Sequence, residues 1–308
     1  MISRRNLRIK VLHTIYELGQ QNEQPNATIA KKYFDSKLED TTSLLAAVTH
    51  LLYLIAEYVL IHANQKASKH IPTADDLNVN TKLAGNIIIQ KLKKNESFSL
   101  IIKKNKLANL FDDEFIKKIF ISLLDSPEYK SYIVNPERNS IEEKKILETI
   151  IHHFIFKNEH TTSFLEEHFI NWDSDFEMVE SWMDKILISA GNFSFERILS
   201  NEKLEFSHEL IDCYYTKKDT IFAFIEPKLV NWDADRVALL DLIILHLGIC
   251  ELLYFPSIPV KVTINEYIDL AKSFSTLQSG QFVNGLLDNV RKELMADNKI
   301  FKNEHKGK

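Results

Sequence analysis

Apolar residues recur along this chain every three or four positions, with polar stretches between segments and without two-residue alternation. This period is typical of amphipathic α-helices. The first segment, about Ser3 to Gly19, places Leu7, Val11 and Ile15 on one stripe and its basic residues on the other side. The pattern therefore predicts an all-α fold.

The same periodicity predicts further helices along the chain. We expect them at about Asp40–Lys66, Asp75–Lys94, Asp112–Asp125, Ser140–Lys157 and Asp233–Tyr254, then from Thr263 and from Ser279. Ser140 and Glu143 have the spacing of a capping box, in which a hydroxyl and a carboxylate satisfy the first free amides of a helix. Thr263 and Glu266 repeat that spacing, and Ser279 is a candidate cap for the last helix.

Helix-breaking residues occur at two places. Pro127 and Pro136 predict a loop or linker over Asp125–Asn139. Gly285 follows Asn284, a pair that usually favours a hairpin turn. The flanking apolar residues keep helical spacing, so we interpret Gly285 as a mid-helix glycine that costs about 1 kcal/mol and serves a close helix crossing.

One short segment occurs twice, 60 residues apart (231 − 171 = 60). Asn171-Trp172-Asp173-Ser174-Asp175 returns as Asn231-Trp232-Asp233-Ala234-Asp235. We interpret each Trp as filling the base of a helix pair and an Asp as capping the next helix. A duplicated unit is the alternative, although two copies are fewer than the ~3 that a solenoid needs.

Composition narrows the function. A chain of 308 residues that is 45% hydrophobic and 26% charged can form one large or two ordinary globular domains. The net charge of −5 excludes nucleic-acid binding by bulk charge, so any RNA site must be a local patch.

Cys213 and Cys250 lack a C-x-x-C spacing, so a disulfide framework is not expected and a reducing cytoplasm is favoured. Leu44–Ala63 could suggest a membrane span, but His50 and Glu57 interrupt it, and we interpret it as a buried core helix.

Enzymatic and metal-binding interpretations find little support. The Gly-rich phosphate loops are absent from the sequence, and we predict no catalytic residues and no cofactors. Glu148 and His152 share a helix face, a spacing that can bind metals. The second Glu-x-x-His of a di-iron pattern is missing, so we interpret the polar residues between Glu148 and His168 as a solvated stripe and expect no metal.

A long ordered motif lies near the C-terminal end. It reads IPVKVTINE from Ile258, DLAKSF from Asp269 and SGQFVNGLLD from Ser279. Together with Glu226-Pro227, Asn231-Trp232, ELLY from Glu251 and an N-terminal segment holding Arg4, Arg5, Arg8 and Ile15-Tyr16, it resembles the NusB family of bacterial transcription antitermination factors. The resemblance covers about Met1–Gln20 and Phe206–Leu294.

The resemblance implies an orthogonal helical bundle of two packed subdomains, with additional helices inserted in the middle. We expect an arginine-rich helix at residues 1–20, a helical insertion with the N-terminal subdomain at 21–200, a C-terminal subdomain at 201–297 and a frayed lysine-rich tail at 298–308. It also implies binding of boxA-type single-stranded RNA together with NusE, a small-subunit ribosomal protein, during ribosomal RNA transcription. The RNA polymerase elongation complex would be an indirect partner, the location cytoplasmic, and no membrane would be involved.

The family likeness assigns candidate site residues by position. The RNA-binding candidates are Arg4, Arg5, Arg8, Lys10, Lys228, Gln278, Ser279, Gln281 and Phe282. Guanidinium groups chelate phosphates and stack on unpaired bases, and an aromatic ring offers a stacking platform. The family often has an acidic residue where Gln278 stands, and losing that negative charge should favour RNA. The candidates for the protein partner are Tyr16, Asp241 and Glu251.

Several alternatives stay open. Phe282 could be a core residue, and Asp241 could be an internal hydrogen-bonded carboxylate. The lysines between Lys91 and Lys106 fit a solvated face better than an extension of the RNA track. The whole chain could be a helical scaffold of the same fold that binds a different protein without RNA. An RNA-modifying enzyme would need an α/β cofactor domain with a Gly-rich loop, which the sequence lacks.

Overall fold

The computed structural model describes residues 2–21, 25–196, 198–229 and 237–303, and within these ranges it contains no strand. The all-α prediction is confirmed. The described helices are α1 (Arg4–Gly19), α2 (Ala27–Ala67), α3 (Ala74–Leu77), α4 (Ile87–Lys93), α5 (Glu96–Lys104), α6 (Asp113–Asp125), α7 (Pro127–Val134), α8 (Ser140–Thr149), α9 (Glu159–His168), α10 (Trp172–Ser189), α11 (Asn201–Thr216), α12 (Lys218–Ile225), α13 (Leu239–Tyr254), α14 (Val260–Phe274) and α15 (Leu277–Ala296).

The chain separates into two compact units. The terminal unit comprises Met1–Lys37 and Leu199–Lys308, and the middle unit comprises Leu38–Ile198. Helix α2 supplies residues to both.

Helix α13 forms the centre of the terminal unit. Its sequence is apolar nearly all round, and α1, α11, α12, α14 and α15 all pack against it. A helix that is apolar on every side is stable in water only when neighbours cover it completely. Gly248 permits a close approach, because a Cβ atom there would meet Leu287 Cδ2 at 3.1 Å and Tyr267 Cδ2 at 3.4 Å.

The middle unit is built on the apolar part of α2. This helix is long and apolar enough to cross a membrane by length and composition, yet 72% of its most apolar window is buried inside the protein. Burial at that level is typical of the core helix expected from the sequence. Helix α8 continues as a π-helix at Ile150–Phe156, whose Ile150, Ile151 and Ile155 side chains are buried.

Several predicted helix boundaries are wrong. Helix α2 begins at Ala27 instead of Asp40, and its polar first turns are stabilised by pairs such as Lys31 with Asp212 at 2.8 Å. The segment Asp75–Lys94 contains two short helices, α3 and α4, instead of one. The expected loop over Asp125–Asn139 contains α7, because Pro127 occupies its first turn, where no amide is needed.

The predicted capping residues are also wrong. Asn139 caps α8 by accepting a hydrogen bond from the Ile141 amide at 2.9 Å. Helix α14 already begins at Val260, which leaves Thr263 one turn inside it. Thr276 caps α15 by accepting from the Ser279 amide at 3.0 Å. A cap motif in sequence does not show which of several nearby polar residues leaves the helix first.

The first copy of the Trp segment behaves as predicted only in part. Trp172 is 6% exposed and packs against Phe156 and Phe176. Asp175 does not cap α10, since it is buried and accepts a hydrogen bond from the Thr41 hydroxyl at 2.6 Å. The second copy, from Asn231 to Asp235, lies outside the described residues.

Two further expectations for the C-terminal region require correction. Gly285 lies within α15, but a Cβ atom there would meet nothing within 4 Å, so it serves no close crossing. The beginning of the tail is docked instead of frayed, because Lys302 Nζ donates to the Glu251 and Phe255 carbonyls at 2.8 and 2.9 Å. Each carbonyl also accepts a backbone amide, from Phe255 at 3.3 Å and from Ile258 at 3.2 Å, so Lys302 adds a second hydrogen bond to both at the C-terminal end of α13.

Candidate nucleic-acid interface

The first turn of α1 presents two half-exposed arginines. Arg4 pairs with Glu202 at 2.6 Å, and Arg5 lies 3.6 Å from Asp269 and 3.9 Å from Glu266. Solvent-exposed ion pairs of this kind contribute about 0–1 kcal/mol. Both guanidinium groups can therefore exchange a carboxylate for a phosphate at small cost.

Arg8 occupies a different environment from its two neighbours. Its side chain is 3% exposed, and Nε and Nη2 donate to the two oxygens of Glu251 at 2.7 and 2.8 Å. Glu251 is fully buried and also accepts from the hydroxyls of Thr263 at 2.8 Å and Tyr267 at 3.3 Å. Burial, and then the Glu251 carboxylate, raise the pKa of Tyr267 well above its ordinary value. The cluster joins α1, α13 and α14.

This burial does not fit the roles predicted for Arg8 and Glu251. A fully desolvated side chain whose polar atoms are already paired cannot reach RNA or a protein partner. We revise both to positioning residues that hold α1 in place.

Lys10 is 3% exposed, so its predicted RNA contact does not fit its burial either. Lys228 keeps a partly exposed side chain, donates to the Phe224 carbonyl at 3.1 Å and pairs with Glu293.

The amino end of α15 brings together the other predicted RNA contacts. Gln278 and Gln281 are exposed, and Phe282 is half-buried. Ser279 is buried, and its hydroxyl donates to Asp241 Oδ2 at 2.8 Å, which ties the first turn of α15 to that of α13. The first turn of a helix carries unpaired amides and partial positive charge, a combination that favours anions.

Helix α14 connects the basic turn to the start of α15. Arg5 lies beside Asp269, in the second half of α14, and the His13 ring meets the Phe274 ring edge-on with centroids 4.9 Å apart. Phe274 is the last residue of α14. Five residues of helix rise about 8 Å, so α14 runs from its contact with Arg5 to the segment just before α15 over this distance.

The predicted partner residues differ in exposure. Tyr16 is half-buried near the end of α1. Asp241 is 6% exposed, and its Oδ2 accepts the hydrogen bond from Ser279. For this oxygen, the interpretation of Asp241 as an internal hydrogen-bonded carboxylate fits. Its other oxygen, Oδ1, is buried and meets no hydrogen-bond donor among the described residues. A buried acceptor without a donor costs about 1–3 kcal/mol.

The polar stripe around His152 does not form a converging ligand set. His152 Nδ1 lies 2.8 Å from Glu180 and Nε2 lies 3.3 Å from Asp184. The two ring nitrogens point in different directions, so they cannot serve one ion together. Glu148 pairs with Lys144 at 2.6 Å. Within the described part of the chain, no group of three or more His, Cys, Asp or Glu side chains could hold a metal ion.

Comparison with known proteins decides the family. The NusB family model matches residues 171–292. The transcription antitermination protein NusB of Listeria monocytogenes is 35% identical over 100 residues, which are 32% of this chain and 78% of that protein. The chain belongs to the NusB family. This agrees with the resemblance in the C-terminal motif and identifies the chain as a member of a family of transcription antitermination factors.

Other NusB proteins match the same portion of the chain. The NusB of Finegoldia magna is 41% identical over 98 residues, 32% of this chain and 71% of its own. The NusB of Myxococcus xanthus is 44% identical over 89 residues, 29% of this chain and 64% of its own, slightly under two thirds. No solved structure matches this chain. The family match begins at Asn171, 35 residues before Phe206 (206 − 171 = 35), so it also includes α10.

The sequence analysis missed the acidic partners of the arginines. Glu202, Glu266 and Asp269 come from α11 and α14, far from Arg4 and Arg5 in sequence. One signal was present, since a single glutamate within the apolar α13 must find a buried cation or donor. That argument was applied to Asp241, and it applies more strongly to Glu251.

Proposed function

We propose that this chain binds boxA-type single-stranded RNA together with NusE during ribosomal RNA transcription, without catalysis of its own. Through these two partners it would act on the RNA polymerase elongation complex in the cytoplasm. The observation that carries the proposal is the edge that runs along α14, which contacts the half-exposed Arg5 through Asp269 and ends at Phe274, shortly before the exposed Gln278 and Gln281 of α15. The half-exposed Arg4 precedes Arg5 in the same turn of α1, and the half-buried Phe282 follows Gln281.

Each group on this edge has a distinct task. Arg4 and Arg5 bind phosphates, which fixes the register of the RNA without reading its sequence. Phe282 stacks on an unpaired base, an interaction worth about 1–3 kcal/mol. Gln278 and Gln281 offer both donors and acceptors to base edges. The absence of a carboxylate at Gln278 removes a repulsion toward the backbone.

The NusE surface lies at the other end of α1 and at the start of α13. Tyr16 supplies a half-buried ring with a hydroxyl, and Asp241 supplies Oδ1, a buried acceptor that a NusE donor reaches once the first turn of α13 opens. Because Asp241 also binds Ser279, a donor from NusE would act on the same hydrogen-bond pair that anchors the RNA-binding turn. Joint binding of RNA and NusE is expected from this connection.

Binding of labelled boxA RNA, measured by fluorescence anisotropy with and without NusE, tests the proposal. Replacing Arg4 and Arg5 by Ala should weaken binding and reduce the salt slope by about 0.7 for each lost phosphate contact. Arg291→Ala is the matched control, because Arg291 pairs with Asp288 on the surface of α15. Unchanged affinity and salt slope in the double variant would place the RNA elsewhere.

The partner residues need a separate measurement. Tyr16→Ala should weaken NusE binding while leaving the binding of RNA alone nearly unchanged. If the chain binds neither boxA RNA nor NusE but captures a different protein, the scaffold interpretation replaces this one.

A further inference from the structure

The middle unit carries a concentrated positive charge. Between Lys91 and Lys106 the chain has six lysines and one glutamate, a net charge of +5 (6 − 1 = 5) within a protein whose net charge is −5. We call the six lysines the lysine track, and all six are exposed: Lys91, Lys93, Lys94, Lys103, Lys104 and Lys106. Among ion pairs within the described residues, Lys93 lies 3.3 Å from Glu57 and Lys104 lies 3.6 Å from Glu39.

Helix stability explains only part of this charge. Lysines in the last turn of a helix interact favourably with its dipole, and the ends of α4 and α5 carry such lysines. Lys106 lies beyond both helices, in the left-handed conformation with φ of 55°. Lys106 directly follows Asn105, the C-cap of α5, at the position where glycine usually takes this conformation, so the backbone there favours glycine over lysine.

An open groove is lined by residues that begin shortly after Lys106 in the sequence. The groove has a volume of about 440 Å³ and is lined by Asn109, Leu110, Asp112, Glu114, Phe115, Lys118, His160 and Phe164; we call it the aromatic groove. Two residues lie between Lys106 and Asn109, and a step of three positions along the chain spans no more than about 10 Å. The Lys106 end of the track therefore lies next to the groove.

Aromatic rings form one side of the groove. Phe164 lies with its centroid 4.7 Å from that of Phe115, and His160 lies 4.9 Å from Phe115. The exposed His168 stacks on Phe164 at 4.0 Å with an interplanar angle of 18°. Stacked, partly exposed rings beside lysines are the combination by which proteins hold single-stranded nucleic acid.

The remaining groove residues favour a base over a phosphate. Asp112 Oδ1 accepts from the Phe115 amide at 2.7 Å, and Glu114 pairs with Lys118 at 3.4 Å. These carboxylates would repel a phosphate within the groove. Carboxylate oxygens and the Asn109 amide can instead accept hydrogen bonds from the amino groups of an unstacked base.

We infer that the middle unit contains a second single-stranded RNA surface, in which the lysine track binds the backbone and the aromatic groove stacks a base. The inference rests on the proposed function in taking RNA as the ligand. It predicts that the chain holds RNA flanking the boxA element, in addition to the element itself.

The test uses the full chain and two labelled RNAs, one just long enough to hold boxA and one with single-stranded flanks. Lys103→Glu with Lys106→Glu should weaken binding of the long RNA about tenfold and leave the short RNA unaffected. The control, Lys130→Glu with Lys185→Glu, makes the same charge change at two exposed positions of the middle unit and should change neither. His160→Ala with His168→Ala, at exposed positions, should also weaken the long RNA alone.

Lys106→Gly separates binding from folding. It should raise the melting temperature by removing the left-handed lysine, and weaken long-RNA binding about threefold through the lost charge. A higher melting temperature together with weaker binding of the long RNA would support the inference. Equal binding of the long RNA to all variants would overturn it. An equal loss for both RNAs would also overturn it, because the track would then not be a separate surface.

Failure of the proposed function would look different. The proposed function would be contradicted if the wild-type chain does not bind the short boxA RNA. This inference would still be supported if the same chain binds flanking RNA and the lysine-track substitutions weaken that binding. Photocrosslinking of the long RNA to a peptide containing Phe164 would give direct support, and crosslinks confined to the terminal unit would overturn it.

Discussion

Among the described residues, Glu251 in the terminal unit and Glu143 in the middle unit are completely buried, and each binds a different set of groups. In the terminal unit Glu251 binds the fully buried Arg8, 243 residues away, and two hydroxyls of α14. In the middle unit Glu143 binds Arg138, the Tyr132 hydroxyl at 2.8 Å and the Ile87 amide at 2.7 Å.

The cations make the difference between the two sites. The Arg138 side chain is 37% exposed, so water shares its charge, whereas Arg8 has no such access. Glu143 therefore works mainly as an anchor for α7 and for the first turn of α4. Glu251 holds α1 against α13 and α14, and with it the turn that presents Arg4 and Arg5. A buried ion pair in this protein thus has a structural role that indirectly supports the proposed RNA surface.

Removing the charge of Glu251 should produce the largest effect. Glu251→Gln removes the carboxylate that binds Arg8 through two hydrogen bonds and leaves Glu266, 3.4 Å from Nη1, as the remaining counter-ion, a loss of about 3–4 kcal/mol in the free energy of unfolding. Urea denaturation followed by circular dichroism measures it. Arg8→Met with Glu251→Leu removes both charges and should recover most of the loss. If the double variant is no more stable than Glu251→Gln, the burial of the Arg8 charge without the Glu251 carboxylate is not the cause.

Acid should weaken the terminal unit through His246 on α13. Burial, and then the charge of Lys218, lower the pKa of His246 to about 4 from 6.5. Between these values the unfolded chain binds a proton that the folded chain does not, so stability falls as the pH falls through this window. The loss reaches about 3 kcal/mol near pH 4. His246→Phe should remove this part of the pH dependence in urea denaturation, and exposed His70→Phe should not.

The corresponding change in the middle unit should cost less. Glu143→Gln should lower the free energy of unfolding by about 1–3 kcal/mol, since Arg138 can turn to water while the Tyr132 hydroxyl loses a charged acceptor. Hydrogen exchange should show the first turn of α4 opening, because the Ile87 amide depends on this carboxylate. A loss as large as that of Glu251→Gln would remove the distinction between the two sites.

Two glycines of the terminal unit give the smallest effects, and the effects have opposite signs. Gly248→Ala places a methyl group 3.1 Å from Leu287 Cδ2 and should destabilise by about 1–3 kcal/mol. Gly285→Ala points into open space on α15 and should stabilise by about 0.5–1 kcal/mol. Thermal melts of both variants measure the contrast, and destabilisation by Gly285→Ala would contradict the open geometry.

Short-range sequence patterns were sufficient to predict the all-helical fold class, the central position of α13 and the family. An apolar period of three to four residues specifies a helix whatever its neighbours are, and a helix apolar on every side must be covered. Helix ends were less predictable. Thr263 and Ser279 fit capping motifs, yet α14 and α15 begin earlier, because several adjacent polar groups can satisfy the same amides.

The roles of the arginines were decided only by the tertiary structure. Arg4, Arg5 and Arg8 are equivalent in the sequence, each a cation on the same side of one predicted helix. Arg8 is buried because it pairs with Glu251, which the Thr263 and Tyr267 hydroxyls hold in place from a distant part of the chain, while Arg4 and Arg5 meet exposed carboxylates. Periodicity is a local property of the chain, but desolvation depends on which distant residues pack around a charge, and that sets whether it binds a ligand or holds the fold.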